Sequence, residues 1–192
     1  MADPAQVHPT AIIDEGATLG EGARIWHWVH VCSDASVGAG VSLGQNVYVG
    51  PGVRIGAGSK IQNNVSVYAG VTLEEDVFVG PSAVFTNVVN PRAHVNRKAD
   101  FTPTLVKRYA TIGANATVVC GTTLGEGCFV AAGAVVTRDV PPRVQVQGCP
   151  AEAVGHRCDC GEALPPESPL QCTRCGSRYT LRSDGGLDRE EN

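Results

Sequence analysis

Apolar residues recur along most of the chain with a period of six, which is neither the period of two of a long strand nor the 3.6 of a helix. An aliphatic residue or phenylalanine occupies every sixth position from Ile13 to Phe85, and the phase returns from Ile112 to Val136. Small or β-branched residues dominate the position two before each of these, and glycine often follows directly. A helix cannot satisfy a period of six, whereas short strands separated by sharp turns can. The pattern therefore predicts a scaffold of short strands and tight corners.

This spacing resembles the hexapeptide repeat of the left-handed parallel β-helix, in which three hexads form one triangular coil. The resemblance implies an all-β prism of about six coils over residues 1–142, with a long loop inserted at residues 87–109. Because this family typically packs three prisms side by side, we expect a homotrimer. A connecting segment over residues 143–157 and a cysteine-rich module over residues 158–192 are expected to follow.

The repeat is interrupted between Asn87 and Tyr109. Five cations in this segment face a single acid, Asp100; they are Arg92, Arg97, Lys98, Lys107 and Arg108. A long interruption in a compact repeat domain is usually functional or disordered. The cationic excess favours an anionic ligand, and the alternative is a solvated surface loop.

Two further irregularities stand out in the repeat. Three adjacent amides, Gln62, Asn63 and Asn64, follow Lys60 and Ile61. They suit a nucleobase edge or sugar hydroxyls, or else they stack as a ladder along a corner of the prism. Trp26 and Trp28 are too large for a thin core, so they are expected to cover a neighbouring subunit or a ligand.

Composition and charge exclude several classes of protein. The chain has 192 residues with 23 glycines and only 5% aromatic residues, which disfavours a helical bundle. The formal net charge of −4 argues against broad nucleic-acid binding. The sequence contains no run of 18 apolar residues and no signal-peptide pattern, so we expect a cytoplasmic protein without membrane insertion.

The last 35 residues contain four of the eight cysteines in the pattern C-x-C-x11-C-x2-C, namely Cys158, Cys160, Cys172 and Cys175. Glycine follows the second cysteine of each pair. In a reducing compartment this pattern favours a structural zinc site, similar to a rubredoxin-like zinc ribbon, that would stabilise a module with little core of its own. Iron, a disordered metal-free tail, and His156 as a ligand in place of Cys158 are the alternatives.

Three stretches carry a closer resemblance to one family: HPTAIIDEGATLGEGARIWHWVHV, IGAGSKIQNNVSVYAGVTLEEDVFVGPSAVFTNVVNPRA and LVKRYATIGANATVVCGTTLGEGCFVAAGAVVTRDVPP. Together they are similar to nucleotide-sugar N-acetyltransferases that acylate a 3-amino sugar. The greatest similarity is to enzymes acting on UDP-2-acetamido-3-amino-2,3-dideoxy-glucuronate in lipopolysaccharide O-antigen biosynthesis. The resemblance implies acetyl-CoA as the acyl donor and a nucleotide sugar as the acceptor.

The resemblance also assigns roles to individual residues. Asn87 would orient the amino group, with Asn90 as its nearby substitute, and His94 is a candidate base. Substrate contacts would come from Lys60, Gln62, Asn63, Asn64, Tyr68, Arg92 and Lys98. Coenzyme A phosphates would meet Lys107, Arg108 and Arg138, and the pantetheine arm would lie along Gly113, Ala114, Ala131 and Gly133. The sequence shows no secure pair of a histidine and a carboxylate, but a neutral amine needs a base less than a hydroxyl does.

Three alternative functions remain. The same chemistry could serve a dTDP-linked 3-amino-6-deoxy sugar, which requires no carboxylate partner. A metallohydratase of the γ-carbonic anhydrase kind needs three converging histidines, and the spacing of His27, His30 and His94 does not resemble that arrangement. A non-catalytic β-helical scaffold would carry the repeat without any reaction.

Overall fold

A computed structural model describes residues 3–190, in which short strands occupy three faces of a prism. Consecutive strands run on successive faces, and each strand pairs in parallel with the strand that follows it by one coil. Lys60, for example, pairs with Ser42 on one side and Phe78 on the other. The fold is therefore an all-β solenoid, as predicted.

Each face is one sheet. Face one contains β1 (Gln6–Val7), β4 (Arg24–Ile25), β7 (Ser42–Leu43), β10 (Lys60–Ile61), β13 (Phe78–Val79), β16 (Thr111–Ile112), β19 (Phe129–Val130), β21 (Val144–Gln147) and β22 (Glu152–His156). Face two contains β2 (Ile12–Ile13), β5 (His30–Val31), β8 (Tyr48–Val49), β11 (Ser66–Val67), β14 (Val84–Phe85), β17 (Thr117–Val118) and β20 (Val135–Val136). Face three contains β3 (Thr18–Leu19), β6 (Ser36–Val37), β9 (Arg54–Ile55), β12 (Val71–Leu73), β15 (Thr104–Val106) and β18 (Thr123–Leu124).

The period of six arises because each hexad supplies one strand and one corner. The aliphatic residue of each strand points into the prism together with the small residue two positions before it, so both sets are almost fully buried. Only the first coil is less well covered: Ile13 and Leu19 pack against the core but are partly buried. The prism thus contains a single apolar column that is weakest at its first coil.

We name the corners by the faces they join. The first corner lies between faces one and two, the second between faces two and three, and the third between face three and the next strand of face one. The glycine after the aliphatic residue is required by close approach between coils. A Cβ on Gly56 would lie 2.4 Å from the backbone carbonyl carbon of Glu74, and one on Gly20 would lie 2.4 Å from the amide nitrogen of Ala39.

The chain leaves the parallel stack at β21 and β22, which pair antiparallel. The segment beyond them contains a second, smaller cluster of buried residues and one antiparallel pair, β23 (Tyr179–Leu181) with β24 (Leu187–Arg189). Arg143 joins this segment to the prism. Its side chain is 6% exposed, and it donates hydrogen bonds to Asp159 (2.7 Å), Glu126 (2.8 Å) and the carbonyl of Leu187 (3.1 Å).

Helical structure is almost absent from residues 3–190, where a single 3₁₀ turn spans Lys98–Asp100. Accordingly, the described part of the chain has no helix of the length and apolarity that crossing a membrane requires.

Candidate functional site

The interruption of the repeat lies at the second corner and is shorter than the predicted 87–109. β15 (Thr104–Val106) pairs in register with β12 and β18, so the excursion from the prism covers residues 86–103. Val106 is in phase with Ile112 and fully buried. The sequence pattern concealed this hexad because it follows a segment without the repeat and Lys107 replaces the usual glycine after Val106.

Two hydrogen bonds donated by backbone amides close the base of this excursion loop. The amide of Thr102 donates to the carbonyl of Asn87 at 2.9 Å, and the amide of Cys120 donates to the Thr86 hydroxyl at 2.9 Å. The side chain of Asn87 is consequently half-buried at the root of the loop. Asn90, the predicted substitute for Asn87, is exposed further along the loop.

Most of the positive charge of the excursion loop faces solvent. Arg97 pairs with Asp100 at 3.1 Å, which neutralises the single acid of the loop. Arg92 donates only to the carbonyl of its neighbour Pro91, and Lys98 and His94 are exposed. The predicted cations Arg92 and Lys98 thus remain available to an anion.

A cavity of about 350 Å³ adjoins the root of the loop on face three. Its lining consists of Gly70, Thr72, Thr102, Pro103, Thr104, Leu105, Gly121, Thr122 and Thr123. The Thr104 hydroxyl is buried without a hydrogen-bond partner in the described structure. Tyr68 lies at the same corner, and its ring centroid is 6.0 Å from that of Tyr48.

The three predicted amides lie at a different corner, the first. Asn63 Oδ1 accepts a hydrogen bond from the Gln45 amide at 2.9 Å, and Asn46 Nδ2 donates to Asn64 Oδ1 at 3.2 Å. These contacts form a ladder between coils, so they favour the structural role for Asn63 and Asn64. Gln62 and Asn63 also line a cavity of about 420 Å³ together with Trp26.

The residues predicted to hold coenzyme A are divided among three corners. Gly113, Ala114, Ala131 and Gly133 follow Gln62 along the first corner, Lys107 and Arg108 lie at the third, and Arg138 follows β20 at the second. A Cβ on Gly113 would lie 2.4 Å from the amide nitrogen of Ala132, so coil stacking alone explains this glycine.

Two of the three predicted phosphate ligands already have carboxylate partners. Arg108 Nε lies 3.1 Å from Glu126 Oε2, and this contact raises the pKa of Arg108. Arg138 pairs with Glu152. Within residues 3–190, Lys107 has no such partner, which leaves it as the most available of the three.

Sequence reasoning missed a pair of a histidine and a carboxylate. His30 Nε2 lies 3.1 Å from Asp14 Oδ1, and the Cys32 Sγ atom lies 3.8 Å from the same nitrogen. The residue numbers alone indicate this proximity. Asp14 and Cys32 are 18 residues apart, which is one coil, so they stack at the second corner. Hydrogen bonding with Cys32 is the main cause that raises the pKa of the neighbouring Tyr48 to about 12.

The four C-terminal cysteines, which the sequence analysis assigns to a metal site, lie close together. Their Sγ atoms all lie within 4.8 Å of one another, with 3.4 Å between Cys158 and Cys175 and 3.6 Å between Cys160 and Cys172. Burial is the main cause that raises the pKa of Cys158 to about 12, while a hydrogen bond with Ser177 lowers that of the exposed Cys175 to about 6. His156 lies outside the cluster and contacts the carbonyl of Gly185 at 2.8 Å.

Comparison of the sequence with protein families identifies the family to which the repeat belongs. The bacterial transferase hexapeptide family (six repeats) matches residues 16–51, 52–87 and 103–138, together more than half of the chain. The hexapeptide repeat of succinyl-transferase matches residues 34–69. The chain belongs to the bacterial transferase hexapeptide family. The predicted left-handed type of the solenoid follows from this membership, and the gap between the second and third matches falls on the excursion loop.

Individual relatives narrow the enzyme class. The dTDP-3-amino-3,6-dideoxy-alpha-D-galactopyranose 3-N-acetyltransferase of Aneurinibacillus thermoaerophilus is 44% identical over 173 residues, which cover 90% of this chain and 89% of that protein. A 2,3,4,5-tetrahydropyridine-2,6-dicarboxylate N-acetyltransferase of Staphylococcus aureus is 38% identical over 72 residues, which are 38% of this chain and 27% of that protein. The first of these relatives, which matches nine tenths of the chain, confirms the prediction of an acetyl-CoA-dependent amino-sugar N-acetyltransferase.

A solved structure with the same fold is PerB from Caulobacter crescentus in complex with CoA and GDP-perosamine. It has a TM-score of 0.52 and 23% sequence identity, and the match covers 80% of this chain and 58% of that one. At this identity the likeness concerns the architecture of the solenoid.

Proposed function

We propose that this protein transfers an acetyl group from acetyl-CoA to the 3-amino group of a nucleotide-linked amino sugar. The observation that carries the proposal is the excursion loop at residues 86–103, where a half-buried asparagine and exposed cations emerge together from an otherwise regular prism. The relative from Aneurinibacillus thermoaerophilus, which extends along nine tenths of the chain, supports position 3 as the site of acylation.

The reaction needs positioning more than acid–base chemistry. Acetyl-CoA supplies an activated thioester. The neutral amine of the sugar attacks the thioester carbonyl, the carbon–nitrogen bond forms, and the carbon–sulfur bond breaks. The departing thiolate can take the proton that the amine releases, so no strong base is required. In this scheme the Asn87 side chain accepts a hydrogen bond from the amine and so directs the lone pair of the amine nitrogen at the thioester carbonyl. Asn90 or His94 takes this role if the amine lies further along the loop.

The remaining contacts would be distributed over neighbouring corners. Arg92 and Lys98 would meet the diphosphate or a sugar carboxylate, since forked guanidinium donors fit both anions. Tyr68 would border the sugar from below the loop. Lys60, Gln62, Asn63 and Asn64 would line the nucleotide side, with Gln62 free to make the specific contact because the two asparagines are used in the corner ladder.

For the acyl donor, we place the pantetheine arm along Gly113, Ala114, Ala131 and Gly133 and the phosphates near Lys107. Arg108 and Arg138 would contribute only after releasing Glu126 and Glu152, respectively. Because these groups lie at different corners of one prism, contributions from two adjacent subunits would bring them together. We therefore propose that prisms of about six coils assemble as a homotrimer, with the site between subunits.

Two sugars fit the proposal. A UDP-linked 2-acetamido-3-amino-glucuronate, as in O-antigen assembly, would use the cations of the loop to hold its carboxylate. A dTDP-linked 3-amino-3,6-dideoxyhexose is the second candidate, and the relative from Aneurinibacillus thermoaerophilus favours it. The pyrimidine diphosphate and the 3-amino group are common to both.

Thiol release from acetyl-CoA tests the function directly. Each sugar nucleotide is added to the protein, and free thiol is measured over time, with the matching 3-hydroxy sugar nucleotide as the control. We expect release only with a 3-amino acceptor. Absence of release with both amino sugars would refute the proposed reaction and favour a non-catalytic scaffold.

Arg92→Ala distinguishes the two sugars. If Arg92 binds a carboxylate, its loss should raise KM for the uronate about 10-fold and leave the 6-deoxy sugar almost unchanged, because a hydrogen bond to a charged group contributes about 1.5 to 3 kcal/mol. Arg54→Ala, which removes an exposed arginine from face three, is the matched control. An equal effect on both substrates would remove the carboxylate assignment.

We also propose that residues 158–192 form a module stabilised by zinc at Cys158, Cys160, Cys172 and Cys175. Sulfur atoms around a tetrahedral zinc, at Zn–S distances of about 2.3 Å, lie about 3.8 Å apart. The observed separations of 3.4 and 3.6 Å fit this arrangement with little movement. Elemental analysis should find one zinc fewer per chain after Cys172→Ser with Cys175→Ser, and unchanged content would contradict the site.

A further inference from the structure

A second cluster of metal-binding groups lies far from the C-terminal cysteines, at the second corner of the first two coils. Asp14 belongs to the first coil, and His30 and Cys32 belong to the second. One ligand atom from each residue, Asp14 Oδ1, His30 Nε2 and Cys32 Sγ, lies within 4.8 Å of the other two. The catalytic scheme above uses none of these residues.

The convergence follows from the solenoid geometry. His30 and Cys32 are two positions apart on an extended segment, so their side chains point to the same side, outward from Val31. Asp14 occupies the position of Cys32 one coil earlier, and its amide donates to the carbonyl of Val31 at 2.9 Å. Stacking therefore holds the carboxylate against the imidazole without any flexible loop.

The distances match a tetrahedral coordination sphere. Around zinc, with Zn–N and Zn–O of about 2.0 Å and Zn–S of about 2.3 Å, nitrogen and oxygen ligands lie about 3.3 Å apart and nitrogen and sulfur about 3.5 Å apart. The cluster has 3.1 Å between His30 Nε2 and Asp14 Oδ1 and 3.8 Å between that nitrogen and Cys32 Sγ. Imidazole, thiolate and carboxylate together favour a borderline cation such as Zn²⁺ over Mg²⁺ or Ca²⁺.

The site is accessible, and its position suggests what an ion would do. The side chains of His30 and Asp14 are each 39% exposed, whereas Cys32 is 6% exposed, so an ion would enter from the side of His30 and Asp14, where a fourth coordination position is open to water. Within residues 3–190 the first coil has a neighbouring coil on one side only, and its inward residues Ile13 and Leu19 are only partly buried. A cation bound here would bridge the first coil to the second at the point where the apolar column is weakest.

We propose that Asp14, His30 and Cys32 bind one Zn²⁺ ion that clamps the first coil of the solenoid onto the second. Binding replaces the thiol proton of Cys32 by a zinc–sulfur bond and releases that proton to solvent. His30 coordinates through Nε2 in its neutral form.

Zinc content and thermal stability test the proposal on the full chain. The wild type, His30→Ala, Cys32→Ser and Asp14→Asn are compared, with His27→Ala as the matched control, since His27 lies in the same coil but outside the cluster. We expect His30→Ala and Cys32→Ser to bind one zinc fewer per chain than the wild type. Asp14→Asn, which keeps the shape of the side chain, should weaken binding at least 10-fold, and His27→Ala should bind as the wild type does.

Co²⁺ substitution separates this site from the C-terminal cysteines. In a variant with Cys172→Ser and Cys175→Ser, Co²⁺ should still give a thiolate-to-metal absorption band, and adding Cys32→Ser should abolish it. Zinc should raise Tm in that double variant but not after the further change of His30 to Ala. Equal zinc content in all the single variants, or an equal rise in Tm with and without His30, would overturn the proposal.

Discussion

At the residue scale, Trp28 is the most unusual position of the prism. Its backbone lies in the left-handed region, with φ = 55°, where bulky side chains are rare. Most equivalent corner positions carry smaller residues, such as Gly40, Asn46 and Asn64, and Tyr109, with φ = 62°, is the other aromatic residue at such a position in residues 3–190. The side chain is 59% exposed, so burial within the described chain does not offset the backbone cost. This position therefore points to an external contact of the first corner.

Replacement of Asn87 tests the root of the loop. If its side chain orients the amine, Asn87→Ala should lower kcat/KM about 100-fold while the protein remains folded, because misplacement of a reacting group by about 1 Å has effects of this size. Asn90→Ala is the internal control and should change kcat/KM less than threefold. Steady-state kinetics with acetyl-CoA and the accepted sugar measure both. The reverse order of effects would transfer the role to Asn90.

Cys128 should make stability depend on alkaline pH. Burial raises the pKa of its thiol from 9.0 to about 12. The folded state therefore keeps a proton that the unfolded state loses, and the stabilisation is complete below about pH 9 and decreases between about pH 9 and 12. In the wild type this thiol should lower the free energy of unfolding by about 1.4 kcal/mol per pH unit in that range. Cys128→Ala should remove this contribution.

Urea unfolding of wild type and Cys128→Ala at pH 8, 9 and 10 measures this difference. Cys149→Ala, at an exposed cysteine, is the control and should follow the wild type. Parallel pH profiles for wild type and Cys128→Ala would show that the buried thiol does not contribute.

At the scale of elements, the contact between the prism and the C-terminal segment depends on one buried cation. Removal of Arg143 leaves Glu126 paired with the exposed Arg108 and Asp159 paired with the exposed Arg189, and breaking a buried pair costs about 3 to 5 kcal/mol. Arg143→Ala should therefore release the segment beyond β22 to proteolysis and lower Tm. Arg182→Ala, which removes exposed ion pairs within the segment, should lower Tm much less, because exposed ion pairs contribute little to stability.

Limited proteolysis followed by mass spectrometry locates the cleavage. Preferential cuts after residue 156 in Arg143→Ala, but not in Arg182→Ala, are the expected result. Similar digestion of both variants would show that the buried ion pairs do not hold the segment.

The elements of the prism were predictable because each hexad carries its own signal. One inward aliphatic residue and one small residue determine a strand and a corner locally, so Ile25 or Val67 could be assigned to the core without knowledge of the rest. The hexad at Thr104 was hidden, since it follows the interruption of the repeat and a lysine replaces the diagnostic glycine. Its strand forms because β12 and β18 pair with it on both sides, which is information from tertiary structure.

The candidate site was less predictable than the fold. Gln62 and Asn87 were correctly identified as breaks in the pattern, but the sequence did not show that they lie at different corners. The pair of Asp14 and His30 was also missed, because it depends on vertical stacking of side chains whose orientation the sequence does not specify. To recognise residues that act together across coils, one needs the three-dimensional register of the strands.

At the scale of the whole molecule, the distribution of candidate residues over three corners favours an assembly. Exposed apolar residues on face two include Ile12, at 58%, and Val84, at 47%, and Trp28 lies at the neighbouring first corner. Burial of such residues between prisms would remove apolar surface from water, at about 25 cal/mol per Å². A trimer would also place the corners of adjacent subunits beside each other.

Light scattering coupled to gel filtration tests the assembly. The wild type should elute at about three times the chain mass of 20.0 kDa. If Trp28 packs against a neighbour, Trp28→Ala should shift the population towards monomer at low micromolar concentration, whereas Leu181→Ala, at an exposed leucine of the C-terminal segment, should not. A monomeric wild type would refute the trimer.

The fixed register of 18 residues limits how such a chain can change in length. Loss of a single residue within a hexad would move the later inward-facing residues to outward-facing positions. An extra loop at a corner, in contrast, adds length without disturbing the strands before or after it. The excursion at residues 86–103 is a loop of this kind. New acceptors for the same transfer could thus be accommodated by exchanging this one segment, while the column beneath it stays as it is.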